Sequence, residues 1–513
     1  MHDVDRQQRL AAARASRQLN RGTISRRRFL RLCAEAGFAF GGLSGLGLLG
    51  GCRERRAAIP SREALRDTPG PLSASVPGTD CQKFLRDVGR PFSGTTLRVV
   101  SEDSPSSRAT VKILREEFTP VTGIEVLWEQ LPLERVLAAI SQDTASRAGY
   151  YDVFAWDQSW IGRFADDGID PRELMARADL AYPGYDFDDF LPPLLEHVSS
   201  YRGRLAAIPF DIPIWITVYR RDLFEELGLK PPVTMAQYLE AVRAITEAKA
   251  PQVYGTTGGW KPGHSSLLQR AAPWLWGHGG SFFHADETPA IDDENAVAGM
   301  EYMLKLGKDM PPACTTWDWF GETESFARGQ AGIYLGSSEL FPYLDDPETS
   351  ILEGRAEAFP APRPLALRAS SECAFGEKPG VSHHSGSSLA ISRYGRHVEA
   401  SWVLLQWATS ADVLTRASLL GSGASATRRS VYADPRVRER ARVGAGTTRH
   451  FDIARDAILH QLGNEPHLEA WPRLSLDLAI ELGRMTTGQQ DVRKTLSAMA
   501  QTVAGALAAQ GRA

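Results

Sequence analysis

Cysteine is scarce, with five in 513 residues. Beyond residue 52 only Cys81, Cys314 and Cys373 remain, at spacings that match no metal-ligand pattern. His264, His278, His284, His383 and His384 lack Asp, Glu or Cys at familiar ligand spacing and read as exposed loop histidines. No metal and no cofactor is therefore expected. Neither a Gly-x-x-x-x-Gly-Lys phosphate loop nor a Gly-x-Ser-x-Gly nucleophile elbow occurs, and there is no internal repeat. Clustered positive charge is missing from most of the chain. The formal net charge is −4, but residues 1–52 carry nine arginines and three acids, and the remainder holds 49 basic against 59 acidic residues. A mildly acidic body excludes a general nucleic-acid binder, which needs clustered Lys and Arg to neutralise phosphates.

The front of the chain holds what the body lacks. Ser25-Arg26-Arg27-Arg28-Phe29-Leu30 precedes a weakly apolar run, Leu32 to Leu49, that contains five glycines and Glu35. Glycine adds little transfer energy and a carboxylate is costly in hydrocarbon, so the run is a poor membrane span. The order of basic region, modest apolar region and small residues is that of an export signal. The Ser-Arg-Arg-x-Phe-Leu pattern resembles a twin-arginine signal, with Arg26 and Arg27 as its pair. Leu49-Gly50-Gly51-Cys52 resembles a lipobox, which makes Cys52 the acylated residue and acyl burial the anchor. The competing readings are a basic amphipathic helix on a cytoplasmic protein and an ordinary cysteine beside a simple cleavage site. Export permits a disulfide, and Cys314–Cys373 is the pair to test first.

Residues 53–93, with Pro60, Pro69, Pro71 and Pro77 and no sustained periodicity, read as a flexible tether. Beyond it, strands are expected over Leu97–Val100, Ile124–Trp128 and Tyr151–Ala155. The intervening helices carry Val111, Leu114 and Phe118, then Val136, Leu137 and Ile140. Alternation of this kind predicts an α/β fold with a mostly parallel sheet, whose ligand sites lie beyond the carboxyl ends of its strands. Ser101–Ser104 and Trp156–Trp160 are two such segments. Ile208–Trp215 is too proline-rich for an uninterrupted central strand and reads as a crossover. Thr234 heads a capping box. Residues 251–263 and 273–280 read as glycine-rich loops carrying Trp260, Trp274 and Trp276. Helices are expected over 295–306, 397–409 and, with Val492, Leu496, Met499, Val503 and Leu507 on one face, at the end of the chain.

These segments fall in a familiar order: Glu117-Phe118, Thr122-Gly123-Ile124-Glu125-Val126, Tyr151-Asp152-Val153, Ile208-Pro209-Phe210-Asp211, Tyr219–Phe224, Gly279–Phe283, Phe326–Ala331 and Gly386–Ser392. The set, from about Phe92 to Leu507, resembles the extracellular solute-binding proteins of carbohydrate ABC importers, the family that includes maltose-binding protein. The resemblance implies a two-lobed periplasmic-binding-protein fold with a hinge and an interlobe ligand cleft. Lobe 1 would hold residues 94–208 and 387–425, and lobe 2 would hold 209–386 and 426–513. Crossings would fall near 207–211, 386–392 and 423–429. The implied partners are a small solute, a sugar above all, the importer's permease subunits, and the membrane through the lipid anchor, outside the cytoplasm.

A sugar site needs paired donors and acceptors at the rim and flat rings over the C–H faces. The candidates are Asp157, Asp211, Trp215, Trp260, Trp276, Glu339, Ser387, Ser388 and Arg428, the last because some relatives carry an arginine near the third crossing. Each has a plainer reading: Asp157 as a helix cap, the tryptophans as lobe core, Glu339 as surface. Asp166-Asp167 and Asp292-Asp293 read as solvated turn or cap positions. The expected function is transport capture without catalysis. The alternatives are a secreted glycosidase, for which no carboxylate pair stands out, and the same fold holding a polyamine, a phosphorylated polyol or a metal complex.

Overall fold

The computed structural model describes residues 79–284, 288–364, 380–421, 426–442 and 448–509. Arg26, Arg27, Cys52 and Cys373 lie outside these, and Cys314 is a free, buried thiol. All described residues fall in one compact unit, Gly70–Ala513.

Eight strands carry the two main sheets: β1 (Thr96–Glu102), β2 (Glu125–Leu131), β3 (Val153–Asp157), β4 (Ile208–Asp211), β5 (Trp215–Arg220), β6 (Ile333–Ser337), β7 (Ala356–Phe359) and β8 (Ser387–Ile391). The first sheet runs β2-β1-β3-β8-β4 and the second β6-β5-β7. β1 pairs in parallel with β2 and β3, while β8 runs antiparallel to β3 and β4. β3 reads Val-Phe-Ala-Trp-Asp and is buried throughout, as a central strand covered on both faces must be. β2 alternates exposed and half-buried residues because it is an edge, guarded by Glu125 and Glu129. Pro209 is tolerated in β4 because that strand closes the opposite edge, where a missing N–H breaks no ladder.

The helix after β1 runs from Pro105 to Ile113 and continues through a wider segment, Leu114–Phe118, and a last α-helical turn to Thr122. Ser104 and Ser107 cap its start reciprocally. Gly123, at φ +72°, ends it in the left-handed conformation that glycine adopts without a Cβ penalty. The expected caps are present: Thr234 accepts from Gln237 N at 3.2 Å, and Asp293 accepts from Ala296 N at 2.7 Å. In the second lobe, the helices Ser265–Gly277, Glu294–Gly307, Trp471–Thr486 and Val492–Ala509 pack into one apolar core. Val492, Leu496, Met499, Val503 and Leu507 are all buried there, as their spacing predicts.

Four expectations are corrected. Residues 79–92, assigned to the tether, are helical, and Cys81, Phe84 and Leu85 are buried, with Phe84 stacked on Tyr182 at 4.6 Å. One short helix supplies too few apolar residues to show a period. Residues 273–277 belong to a helix rather than a loop, although Pro273 sits inside it. Its residues from Arg270 to Gly277 are all buried, and that packing outweighs the loss of one N–H. His383 and His384 are fully buried rather than exposed: their Nε2 atoms lie 2.8 Å from Glu465 Oε1 and 2.9 Å from Asn464 Oδ1. They stand where the short strand Ser382–His383 pairs with Leu462–Gly463 just before a crossing. Finally, β4 belongs to the first sheet, so the first crossing is Ile212-Pro213-Ile214, later than the expected 207–211.

The second crossing, His384-Ser385-Gly386, runs beside the first. Ile214 bridges to His384, and Ser385 N donates to Pro213 O at 3.1 Å. Gly386, at φ +109°, packs so tightly that a Cβ would collide with the Asp211 carbonyl. Two extended segments lying side by side make a hinge that bends without losing either sheet.

Candidate ligand-binding cleft

Sheet geometry determines which polar groups meet. Ser387, the first residue of β8, lies opposite both Asp157, the last of β3, and Asp211, the last of β4. Three polar side chains thus share one row at the carboxyl ends of β3 and β4. The turn after β1 brings Ser104 over that row, and its hydroxyl donates to Asp211 Oδ2 at 2.5 Å. Glu102, two residues earlier, ends β1 on the same side.

The second lobe mirrors this arrangement. β6 ends at Ser337 and passes into a single 3-10 turn, Ser338–Leu340, that carries Glu339, just as β3 passes into Gln158–Trp160. Asp157, Asp211 and Glu339 are each less than 10% exposed, at 3%, 6% and 7%. Asp211 Oδ1 and Glu339 Oε2 have no hydrogen-bond partner, nor does either amide atom of the fully buried Gln158.

The carboxyls respond to this confinement. Burial pushes Glu102 up to about 8, and the carboxylates of Asp211 and Asp157 add to the shift. Burial pushes Asp157 to about 6, helped by Glu465 and opposed by hydrogen bonds from the Ser159 hydroxyl at 2.6 Å and backbone N at 2.9 Å. Burial raises Asp211 against the hydroxyls of Ser104 and Ser106. Glu339 lies well above the usual carboxylate range, through burial and then through Asp211 and Glu102, both on the facing lobe. Arg108 opposes the shifts at Asp211 and Glu339, but it is half exposed and bonds Asp103 at 2.7 Å. A site that crowds carboxylates in this way has more acids than cations to pair with them.

The lobes meet around this cluster. An opening of about 410 Å³ is lined by Pro105, Arg108 and Lys112 from the first lobe and by Trp319, Phe320, Glu339 and Tyr343 from the second. At another contact between the lobes, His264 Nε2 lies 3.1 Å from Glu134 Oε1, and the hydrogen bond to His264 holds the Glu134 carboxyl below its ordinary value.

Asp157, Asp211, Ser387 and Glu339 are therefore brought together. The other five candidates are not. Trp215 carries the Arg270 guanidinium 3.6 Å above its ring, and Arg270 is itself paired with buried Glu322. Trp260 joins Trp215 around a water-sized hole inside the second lobe, and Gly259 N is tied to Glu322 at 2.7 Å. Trp276 stacks on His383 at 5.8 Å with the rings nearly parallel. The Ser388 hydroxyl is 2.8 Å from that of Ser199 in the interior. Arg428 is a strut: it donates to Thr409 O and Asp186 O at 2.6 Å and lies 3.9 Å over the Phe190 ring. Glu102, Gln158, Arg108, Trp319, Phe320 and Tyr343 join the site instead. The first two lie in the segments Ser101–Ser104 and Trp156–Trp160. The Trp319-Phe320 pair heads a helix, Trp319–Ala327, and nothing in its spacing marks it as facing a cleft.

Comparison with known proteins agrees with the fold. The model of the bacterial extracellular solute-binding protein family matches residues 103–414. The chain belongs to that family. A probable amino-acid ABC transporter periplasmic-binding protein of Sinorhizobium fredii is 24% identical over 378 residues, covering 72% of this chain and 81% of its own. The mannitol-binding protein of Pseudomonas aeruginosa is 23% identical over 61% of this chain and 68% of its own. Among solved structures, a solute-binding protein of Agrobacterium radiobacter in complex with ribitol superposes with a TM-score of 0.71 at 22% identity, covering 80% of this chain and 98% of that one. A maltose-bound protein of T. maritima gives 0.69 at 20% identity, over 81% and 100%. The expected two-lobed fold of this family is thereby established for the present solute-binding protein.

Proposed function

We propose that this solute-binding protein captures a small polyhydroxylated solute, a sugar or polyol, between its lobes and passes it to an ABC importer without chemical change. The observation that carries the reading is the meeting of Asp157, Asp211 and Ser387 with Glu339 across the cleft, where buried acceptor atoms await donors. Carboxylates accept several hydrogen bonds each, and vicinal hydroxyls supply them in pairs. Trp319, Phe320 and Tyr343 at the opening offer apolar faces to C–H bonds. The polyol and sugar names of several relatives and neighbours support the same class. Titration calorimetry against sugars and alditols tests it. Heat and saturable binding from at least one are expected, and silence across the panel would remove the reading.

The front of the chain completes the proposal. Arg26-Arg27 direct export and an acylated Cys52 holds the protein at the outer face of the membrane, with residues 53–78 between anchor and folded body. The Cys52→Ala protein should be recovered free of membrane, and replacement of both arginines by lysine should leave precursor inside the cell. Firm anchoring of the first variant, or normal export of the second, would refute the corresponding step.

A further inference from the structure

Four carboxylates face one cleft: Glu102, Asp157 and Asp211 from the first lobe and Glu339 from the second. Arg108, the cation that acts on Asp211 and Glu339, is half exposed and already bonded to Asp103. Three other buried acids in this protein are each matched by a buried base. Glu322 is paired with Arg270, Glu117 with Arg416 at 2.6 Å, and Asp345 with Arg449. The cleft departs from that pattern, and the departure coincides with vacant hydrogen-bonding atoms. Asp211 Oδ1, Glu339 Oε2, the Ser337 hydroxyl and both ends of the Gln158 amide have no partner, on side chains all more than nine-tenths buried.

Hydroxyls alone satisfy half of this arrangement. They donate to carboxylates but bring no charge, so closing the lobes on a neutral solute leaves the acids either to confront one another away from water or to keep their protons. An ammonium group supplies both donors and charge. Resting on the polyol reading above, we propose that the solute carries a positive charge: an amino-polyol or amino sugar, with its ammonium among Glu102, Asp211 and Glu339 and its hydroxyls toward Asp157, Ser387 and Gln158.

Calorimetry on matched pairs tests this, each pair differing in one group: 1-amino-1-deoxy-D-glucitol against D-glucitol, D-glucosamine against D-glucose, and D-galactosamine against D-galactose. Putrescine is added as a charged solute without hydroxyls. The amine of at least one pair should bind tenfold or more tightly than its hydroxyl partner. Glu339→Gln, which keeps shape and removes charge, should weaken the amine by a larger factor than its neutral partner and so erase that preference. A neutral partner that binds as well as its amine overturns the charge assignment and leaves the polyol receptor standing. Putrescine bound with no hydroxylated solute supports the charge and overturns the polyol frame. Binding of nothing in the panel overturns both.

Discussion

Among single residues, burial separates tryptophans that build the lobe from those that meet the cleft. Trp215 and Trp260 are 2% and 4% exposed within the second lobe's core. Truncating either to alanine should cost about 3–5 kcal/mol of stability and leave the affinity of the folded fraction unchanged. Trp319 lines the opening and is only partly buried. Its alanine variant should melt close to the parent and bind a ring-shaped or extended polyol several-fold more weakly, since such stacking contributes about 0.5–1.5 kcal/mol. Melting curves and calorimetry on the three variants distinguish the roles, and the reverse pattern would put the wrong rings in the site. The acids make a second prediction. Glu102 stands at about 8 against an ordinary 4.5, and Asp157 at about 6 against 3.8. The folded chain keeps protons that the unfolded chain releases, so stability falls as pH rises through that window. Burial acts on His384 and His467 in the opposite sense, lowering them to about 3 and about 4 from 6.5, so their contribution is lost as pH falls. Above pH 6.5 the histidine contribution is complete and the decline belongs to the carboxyls. The unliganded protein should lose melting temperature between about pH 6.5 and 8, and Glu102→Gln should flatten the loss. A wild-type curve that is flat or rising there would contradict the crowding of the acids.

Elements whose burial was one-sided were legible in the sequence. The 492–509 helix shows its buried face at a 3.6-residue period because the opposite face is solvated, and β1 to β3 with their helices announced a parallel sheet through alternation. Asp157, Asp211 and Glu339 were legible as cleft candidates because each stands at or just beyond a strand end. Elements buried on every side were not. The helix Ser265–Gly277 shows no polar face over its last eight residues, and Pro273 reads as a breaker unless the surrounding core is known. Its tryptophans, taken for loop residues, looked available to a ligand for that reason alone. Glu102 was missed because one acid at a strand end resembles a solvent-facing residue until Asp211 and Glu339 are placed against it. The same helix carries Arg270, whose guanidinium joins three elements: it pairs with Glu322 on the helix Trp319–Ala327 and covers Trp215 at the start of β5. Breaking one side of a buried pair strands the other charge, at about 3–5 kcal/mol. Arg270→Met should therefore destabilise strongly in chemical denaturation, and adding Glu322→Gln should restore part of the loss. If the double variant fell further than the single, the two residues would be acting independently.

Across the whole molecule, closure sets attraction against repulsion. The facing lobes share the His264–Glu134 bridge at 3.1 Å, while Glu339 on one side confronts Asp211 and Glu102 on the other. The bridge is worth little, because Glu134 is half exposed and such pairs contribute about 0–1 kcal/mol. Asp211 and Glu339 are buried and Glu102 half-buried, so their repulsion when ionised is poorly screened and grows as the lobes approach. Without solute, and once the acids ionise, the balance should favour an open hinge at Ile212–Ile214 and His384–Gly386. A solute that contacts both lobes shifts the population by its extra affinity for the closed state. Small-angle scattering should show a smaller radius of gyration at saturating solute. Glu339→Gln removes the opposing charge without adding a contact, so the unliganded variant should be more compact than the unliganded parent at pH 8 and should converge with it as the pH is lowered and the parent's acids take up protons. His264→Ala should open the unliganded protein only slightly. Identical radii for Glu339→Gln and the parent at pH 8 would mean that the carboxylates do not hold the lobes apart, and the resting shape would then be set by the hinge strands alone.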